Sequence, residues 1–262
     1  MLPYGIVTLL TDFGLRDPFV GVMKAAVLAR CRSAALVDLT HDIEPGHVED
    51  AAFWLAQAYR FFPAGSVHLA VVDPGVGTSR APLVVAAGGH AFVGPDNGIF
   101  EVVLRRAPSF ECFRIEPGRL GLSPPSRTFH GRDIFAPVAG SLAAGSIGLA
   151  EVGPRHEPLA TRAVPEARPV SDGFEGEVLV VDRFGNLVTN VEAGSFGERP
   201  KARVAIAGRS LELVGTYGDV SPGECSAVVG SFGQIEVVQR GGSAATALGA
   251  QRGTPLRVHR FE

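Results

Sequence analysis

Residues 6–39 read IVTLLTDFGLRDPFVGVMKAAVLARCRSAALVDL. The run Ile6–Leu10 is apolar, as expected of a buried strand, and it breaks at Thr11-Asp12-Phe13-Gly14. Val20–Ala29 has helical composition, and Ala35–Leu39 is a second short apolar run. Strand, helix and strand in a stretch of this length predict a βαβ unit, which implies a parallel sheet.

The alternation continues outward. His47–Arg60 has helical periodicity and carries Trp54, and Val67–Val72 is β-rich and closed by Asp73-Pro74-Gly75. Leu83–Ala87 and Ala91–Val93 read as paired strands ahead of a turn at Gly94-Pro95-Asp96-Asn97-Gly98, and Asp133–Ala144 reads as a helix. The expected fold class is α/β, with a mostly parallel sheet between helices over residues 1–165. Around Thr161–Gly173 proline, alanine and charge crowd together without periodicity, which marks a linker or a boundary. Beyond it, Gly176–Asp182, Leu187–Val191, Ala202–Ile206, Leu211–Val214, Ser226–Val229, Ile235–Val238 and Pro255–Val258 are short β-rich runs between turn residues. They predict a smaller all-β, barrel-like domain over residues 173–262.

Composition narrows the function. The chain has 262 residues, 46% hydrophobic and 19% charged, enough to fill the cores of two domains. Its 24 basic and 27 acidic residues give a net charge of −3 with no basic stripe, which argues against a nucleic-acid partner. The apolar runs are far shorter than the roughly 20 residues needed to cross a bilayer. The N-terminus has no basic n-region, and Asp12 interrupts its apolar run, so the expected location is the cytoplasm. Cys31, Cys112 and Cys225 are few, odd in number and far apart, and read as small buried hydrophobes.

In open parallel sheets ligands bind beyond the carboxyl ends of the strands, which singles out Asp12 and Asp73. Taken alone, Asp73 in Asp-Pro-Gly reads as a turn former, and Asp12 could cap its own loop. A metal set of His41, Asp42, His130 and Asp133 fits no zinc or calcium spacing, so no metal ligands are expected. His130, between Phe129 and Gly131, is better placed for chemistry, because glycine allows close approach and histidine moves protons near neutral pH. No Gly-Lys-Ser/Thr phosphate loop, no Gly-x-Gly-x-x-Gly helix opening after the first strand and no Gly-x-Ser-x-Gly elbow occurs. Asp182-Arg183-Phe184-Gly185-Asn186 stands between two strands and reads, by composition, as a hairpin turn.

Five segments occur in an order that carries a resemblance: Thr11–Gly14, Asp73–Gly77, Gly94–Gly98, Phe129–Asp133 and Asp182–Asn186. Together they resemble the S-adenosylmethionine hydroxide adenosyltransferases, relatives of the fluorinating and chlorinating enzymes, over nearly the whole chain. The resemblance implies hydrolysis of S-adenosylmethionine to adenosine and methionine, without a further cofactor, by a homotrimer whose sites lie between subunits. It implies that Asp73, Arg80 and His130 handle the nucleophilic water. It further implies that Asp12 holds the ribose diol, and that Asp182 and Asn186 hold the methionine end and a polar edge of the substrate. Phe184 would line the site, Ser231 would meet the methionine carboxylate, and Gln239 to Gly241 would read adenine through the backbone. The halogenating relatives carry tyrosine where Asp73 stands, and a carboxylate there repels an anionic nucleophile. A nucleoside-binding protein without turnover, halide transfer, and a metal-dependent phosphoesterase using His41, Asp42, His130 and Asp133 are the competing expectations.

Overall fold

β1 (Ile6–Thr11) runs parallel to β2 (Ala35–Thr40) on one side and to β3 (Val67–Val71) on the other. The computed structural model describes residues 3–159, 164–196 and 201–260, and the chain divides into two units, Met1–Val164 and Pro165–Glu262. In the first unit, β4 (Pro82–Ala87), β5 (His90–Pro95) and β6 (Phe110–Arg114) complete a sheet of order β2-β1-β3-β5-β4-β6. β3 and β5 are parallel, whereas β4 is antiparallel to both β5 and β6. The sheet is mixed because Gly88-Gly89, both with positive φ, turn β4 directly back into β5.

Helices cover both faces, as the unbroken apolar strands require. On one face Val7, Leu9, Val67 and Leu69 share a core with α1 (Phe19–Leu28), where Val20, Met23 and Val27 form the buried stripe. The same core takes in the helix Ala136–Ala143, which crosses that stripe closely. A Cβ at Gly140 would stand 2.6 Å from the Val27 carbonyl oxygen, so only glycine permits the approach. α2 (Val48–Ala58) and α3 (Glu101–Arg106) precede it in the chain, making Ala136–Ala143 α4. On the sheet's other face Thr8, His68 and Phe92 lie side by side in register. Thr8 Oγ1 is 2.8 Å from His68 Nδ1, and His68 Nε2 is 3.1 Å from His90 Nδ1. The Tyr59 ring packs edge-on to both imidazoles and to Phe92.

Asp133–Ala144 was expected to be one helix; the observed segment opens instead with a π turn at Gly131–Phe135 before α4. The expected linker differs as well. Its residues 161–163 lie outside the described residues, and β7 (Arg168–Val170) occupies part of the rest. β7 folds back on β8 (Gly173–Val181) as a short hairpin, with Pro169 tolerated because this is an edge strand.

The second unit is one antiparallel sheet built from β9 (Leu187–Glu192), β10 (Ala202–Ile206), β11 (Arg209–Glu212), β12 (Cys225–Val229), β13 (Gln234–Gln239) and β14 (Pro255–Arg260). Its order is β11-β10-β14-β8-β9-β13-β12, with β7 beside β8. The sheet nearly closes on itself: past β11, Val214 N–H donates to the Ala227 carbonyl of β12 at 2.8 Å. Val178, Leu187, Ile235, Val237 and Val258 fill the interior, and α5 (Ala244–Leu248), capped by Ser243, borders it.

Candidate active site

β1, β2 and β3 end at the same edge of the sheet, delivering Asp12, His41 and Asp73 there. After Asp73 the chain makes a tight loop in which Val76 N–H donates to the Asp73 carbonyl and Thr78 N–H to the Gly75 carbonyl. Gly77 adopts φ +80, and a Cβ there would fall 2.6 Å from the Arg127 carbonyl oxygen. The loop thus needs glycine both for its conformation and for its neighbour.

This loop returns Arg80 to Asp73. Arg80 Nε donates to Asp73 Oδ1 at 2.9 Å, and its Nη2 donates to Oδ2. The same Nη2 is 2.8 Å from His130 Nδ1. A guanidinium only donates, so Nδ1 accepts and the neutral imidazole carries its proton on Nε2. Burial holds the His130 imidazole below its ordinary value of 6.5, and the Arg80 charge pushes the same way against Asp73 and Asp133. The ion pair is nearly enclosed, with 8% of the Arg80 side chain and 6% of that of Asp73 exposed. Such a pair must be well hydrogen-bonded to offset its desolvation. Phe135 supplies a ring face 5.2 Å from the guanidinium carbon. Arg80 Nη1 is buried, and its two N–H groups donate to no described residue.

His130 is presented by a braced segment. Asp133 Oδ2 accepts from Ser126 N–H at 2.8 Å, and Phe129 N–H donates to Ser126 Oγ at 3.1 Å. Hydrogen bonding from Arg132 first, then from Ser126, holds the Asp133 carboxyl down at about 2 against its burial. Met23 Sδ and the Phe129 ring would both lie within 3.2 Å of a Cβ at Gly131, so glycine lets the π turn sit against α1.

A cleft of about 410 Å³ opens at this edge, lined by Asp12, Gly46, Asp73, Phe129 and His130 among others. Asp12 Oδ2 accepts from Gly46 N–H at 2.9 Å. Phe13, Phe19 and Phe129 meet edge-to-face at 5.5–6.2 Å between centroids, forming an apolar wall. Behind it, Thr11 Oγ1 is 2.8 Å from His41 Nδ1, and Gly14 N–H donates to the His41 carbonyl. His41 Nε2 stands 3.0 Å from Asp38 Oδ1, outside hydrogen-bond geometry. His41 therefore braces the Asp12 loop, a role the sequence reading missed. Among the described residues no three His, Cys, Asp or Glu side chains converge as a metal-binding group.

The second unit holds the remaining sequence candidates. Asp182 Oδ1 accepts from the backbone N–H of Phe184 and of Asn186, and Oδ2 accepts from Asn186 Nδ2, all within 2.9 Å. Asp182 and Asn186 are thus brought together as the hairpin between β8 and β9, with Gly185 at φ +82 and Phe184 77% exposed. Ser231 lies exposed in the turn between β12 and β13. Gln239 donates its side-chain amide to the Gly223 carbonyl at 2.9 Å, and Gly241 adopts φ +78 in the following turn. Beside these, burial and then Asp182 raise the Glu236 carboxyl, which accepts from Tyr217 Oη at 3.3 Å.

Fold and cleft define the class: a mixed α/β unit with a carboxylate–guanidinium–imidazole set at its strand ends, followed by a nearly closed antiparallel barrel. The SAM hydroxide adenosyltransferase N-terminal domain matches residues 7–153 and the corresponding C-terminal domain matches residues 176–257. The chain belongs to the SAM hydroxide adenosyltransferase family, a family of enzymes. It is 42% identical over 258 residues to the (R)-S-adenosyl-L-methionine hydrolase of Thermus thermophilus, covering 95% of this chain and 97% of that one. Identity to the (R)-S-adenosyl-L-methionine hydrolase of Salinispora tropica is 42% over 261 residues, covering 98% and 99%. A crystal structure of an uncharacterized conserved protein from Thermotoga maritima superposes with a TM-score of 0.88 at 36% identity, covering 97% of this chain and all of that one. No helix among the described residues is long and apolar enough to cross a membrane.

Proposed function

We propose that this protein hydrolyses S-adenosyl-L-methionine to adenosine and L-methionine. Following the names of its relatives, the substrate is the (R) epimer at the sulfonium. The observation that carries the reading is the continuous hydrogen-bonded set of Asp73, Arg80 and His130 at the edge of a cleft that also holds Asp12. In the reaction, a water oxygen bonds to the ribose 5′ carbon as the bond from that carbon to sulfur breaks. The electron pair leaves with sulfur as the neutral thioether of methionine, and the water gives up one proton.

Asp73 is the acceptor for that water. Arg80 occupies one lone pair on each of its oxygens, and the others remain free to receive a hydrogen bond. The His130 Nε2–H is the donor that fixes the water's lone pair toward carbon, while Arg80 holds Asp73 and His130 in place behind it. General-base help of this kind is worth about 10²–10⁴-fold. In-line alignment contributes part of the roughly 7–11 kcal/mol available to ideal positioning. The apolar wall of Phe13, Phe19 and Phe129 suits a substrate whose positive charge disappears as the bond breaks.

Asp12, its other oxygen free of Gly46, takes the ribose diol. Asp182, Phe184, Asn186, Ser231, Gln239 and Gly241 supply the methionine and adenine contacts, with Asp182 and Asn186 doing so from a prefolded hairpin. No cofactor takes part in this reading, and the protein works in the cytoplasm as a homotrimer, an assembly that would cover Leu15 and Phe184, now 70% and 77% exposed. The test is incubation of purified protein with the (R) and (S) epimers in chelator, with and without chloride. Adenosine and methionine should form at equal rates, from the (R) epimer first. Tight binding without product would contradict the reading, as would activity abolished by chelator or a chlorinated nucleoside.

A further inference from the structure

The turn between β5 and α3 touches the chain on both sides of the Asp73–Arg80 pair. Asn97 Nδ2 donates to the Val72 carbonyl at 2.8 Å, and Val72, fully buried, immediately precedes Asp73. Asn97 Oδ1 accepts from Ile99 N–H at 3.2 Å, which fixes the orientation of the amide. The adjacent residue grips the other end: Asp96 N–H donates to the carbonyl of Ala81, the residue following Arg80, at 2.9 Å. Asp96 is itself anchored, with Oδ2 3.0 Å from His156 Nε2 and Oδ1 accepting from Leu159 N–H at 2.9 Å. Upstream, a Cβ on Gly94 would stand 2.3 Å from the Ala70 carbonyl oxygen, so this turn is seated hard against β3.

We propose that Asn97, backed by the main chain of Asp96, is a positioning residue that sets the separation and orientation of Asp73 and Arg80. The inference rests on the reading of those side chains as the water-orienting pair. Between the two grips the loop turns on Gly75 and Gly77, whose backbones alone would not fix where Arg80 returns. A bidentate carboxylate–guanidinium contact tolerates little displacement, and about 1 Å of misplacement costs on the order of 10²-fold in rate. Two adjacent residues spanning the loop's ends supply that constraint without touching the substrate.

The experiment compares wild type, Asn97→Ala and Asn97→Asp in the full chain, with Ser66→Ala as a control. Ser66 Oγ donates to the Pro63 carbonyl at 2.7 Å ahead of the opposite end of β3, so its loss destabilises the same strand away from the cleft. Three readouts are taken: thermal midpoint, kcat and KM on S-adenosylmethionine, and the His130 titration followed by NMR and assigned with His130→Gln. In both Asn97 variants kcat should fall about 10²-fold with KM changed less than about threefold. Their His130 pKa should rise toward the ordinary value as Arg80 moves from the ring. Ser66→Ala should lower only the midpoint.

An unmoved His130 titration in the Asn97 variants overturns the positioning inference, whatever the rates do. A moved titration in the Asn97 variants, beside a wild type that releases no adenosine, leaves the clamp standing and overturns the hydrolase reading instead. Should Asn97→Ala fail to fold, Asn97→Ser, which shortens the donor, is measured against the same readouts.

Discussion

Arg80 reaches both oxygens of Asp73 through Nε and Nη2, and the same Nη2 meets His130 Nδ1 at 2.8 Å. One guanidinium therefore fixes the carboxylate's orientation and the imidazole's tautomer at once. Arg80→Lys keeps the charge but loses the fork and the flat face against Phe135. It should lower kcat by about 10²-fold or more, in line with loss of a positioned general base. Steady-state kinetics with product chromatography checks this, and a Lys variant at wild-type rate would show that the fork is dispensable.

Removing the acceptor tests the other half of the pair. Asp73→Ala strands the Arg80 charge in a nearly enclosed site, and breaking a buried pair in this way costs about 3–5 kcal/mol. Turnover should drop by about 10²–10⁴-fold. Urea unfolding beside the activity assay separates the two effects.

The pH dependence has a definite sign. His130 is held below 6.5 by its burial and by Arg80, so the neutral form that accepts from Arg80 survives as pH falls through 6.5. The rate should be flat above neutrality and decline only at lower pH, along an acid limb centred below 6.5. His130→Gln should be slower and should lack that limb. An acid limb centred above the ordinary histidine value would contradict the geometry.

Asp12 separates binding from chemistry. The proposed ribose contact predicts that Asp12→Ala weakens adenosine binding by about 1.5–3 kcal/mol. The change should fall mainly on KM. Calorimetry with adenosine gives the affinity directly.

Stability carries a second titration, away from the cleft. Burial drives the His68 imidazole down to about 3 from 6.5, with His90 pushing the same way. The unfolded chain therefore binds a proton that the folded chain refuses between those values. Stability is complete above pH 6.5 and erodes as pH falls toward 3, by roughly 1.4 kcal/mol per unit. Urea midpoints at pH 7 and pH 5 should show wild type losing about 2 kcal/mol more than His68→Gln.

Much of this architecture is visible in local composition, because buried strands must be apolar and the loops between them must turn. Ile6–Leu10, Val67–Val72 and the β-rich runs of the second unit each lie within a strand or within one residue of it, except Leu211–Val214, which overruns β11 by two residues. α3 escaped because Glu101–Arg106 is too short to show a helical period. β6 escaped because Phe110–Arg114 buries only two adjacent residues, Cys112 and Phe113, and so does not alternate. At the site, strand-end position alone pointed to Asp12 and Asp73. Arg80 carried no signal of its own, since its return depends on Gly77 passing beside Arg127, a long-range contact. His41 and Asn97 were hidden for the same reason: each acts on a neighbour distant in the chain, through Thr11 and Val72 respectively. Asp182 bears out the hairpin reading of its segment, closing the turn through Phe184 and Asn186.

The most direct test of the central claim is a single turnover of (R)-S-adenosyl-L-methionine in heavy-oxygen water, with mass spectrometry of both products. Attack on the ribose 5′ carbon predicts adenosine carrying one heavy oxygen at its 5′ hydroxyl and unlabelled methionine, with Asp73→Ala forming neither at a comparable rate. Unlabelled adenosine, or label appearing in the methionine fragment, would contradict it.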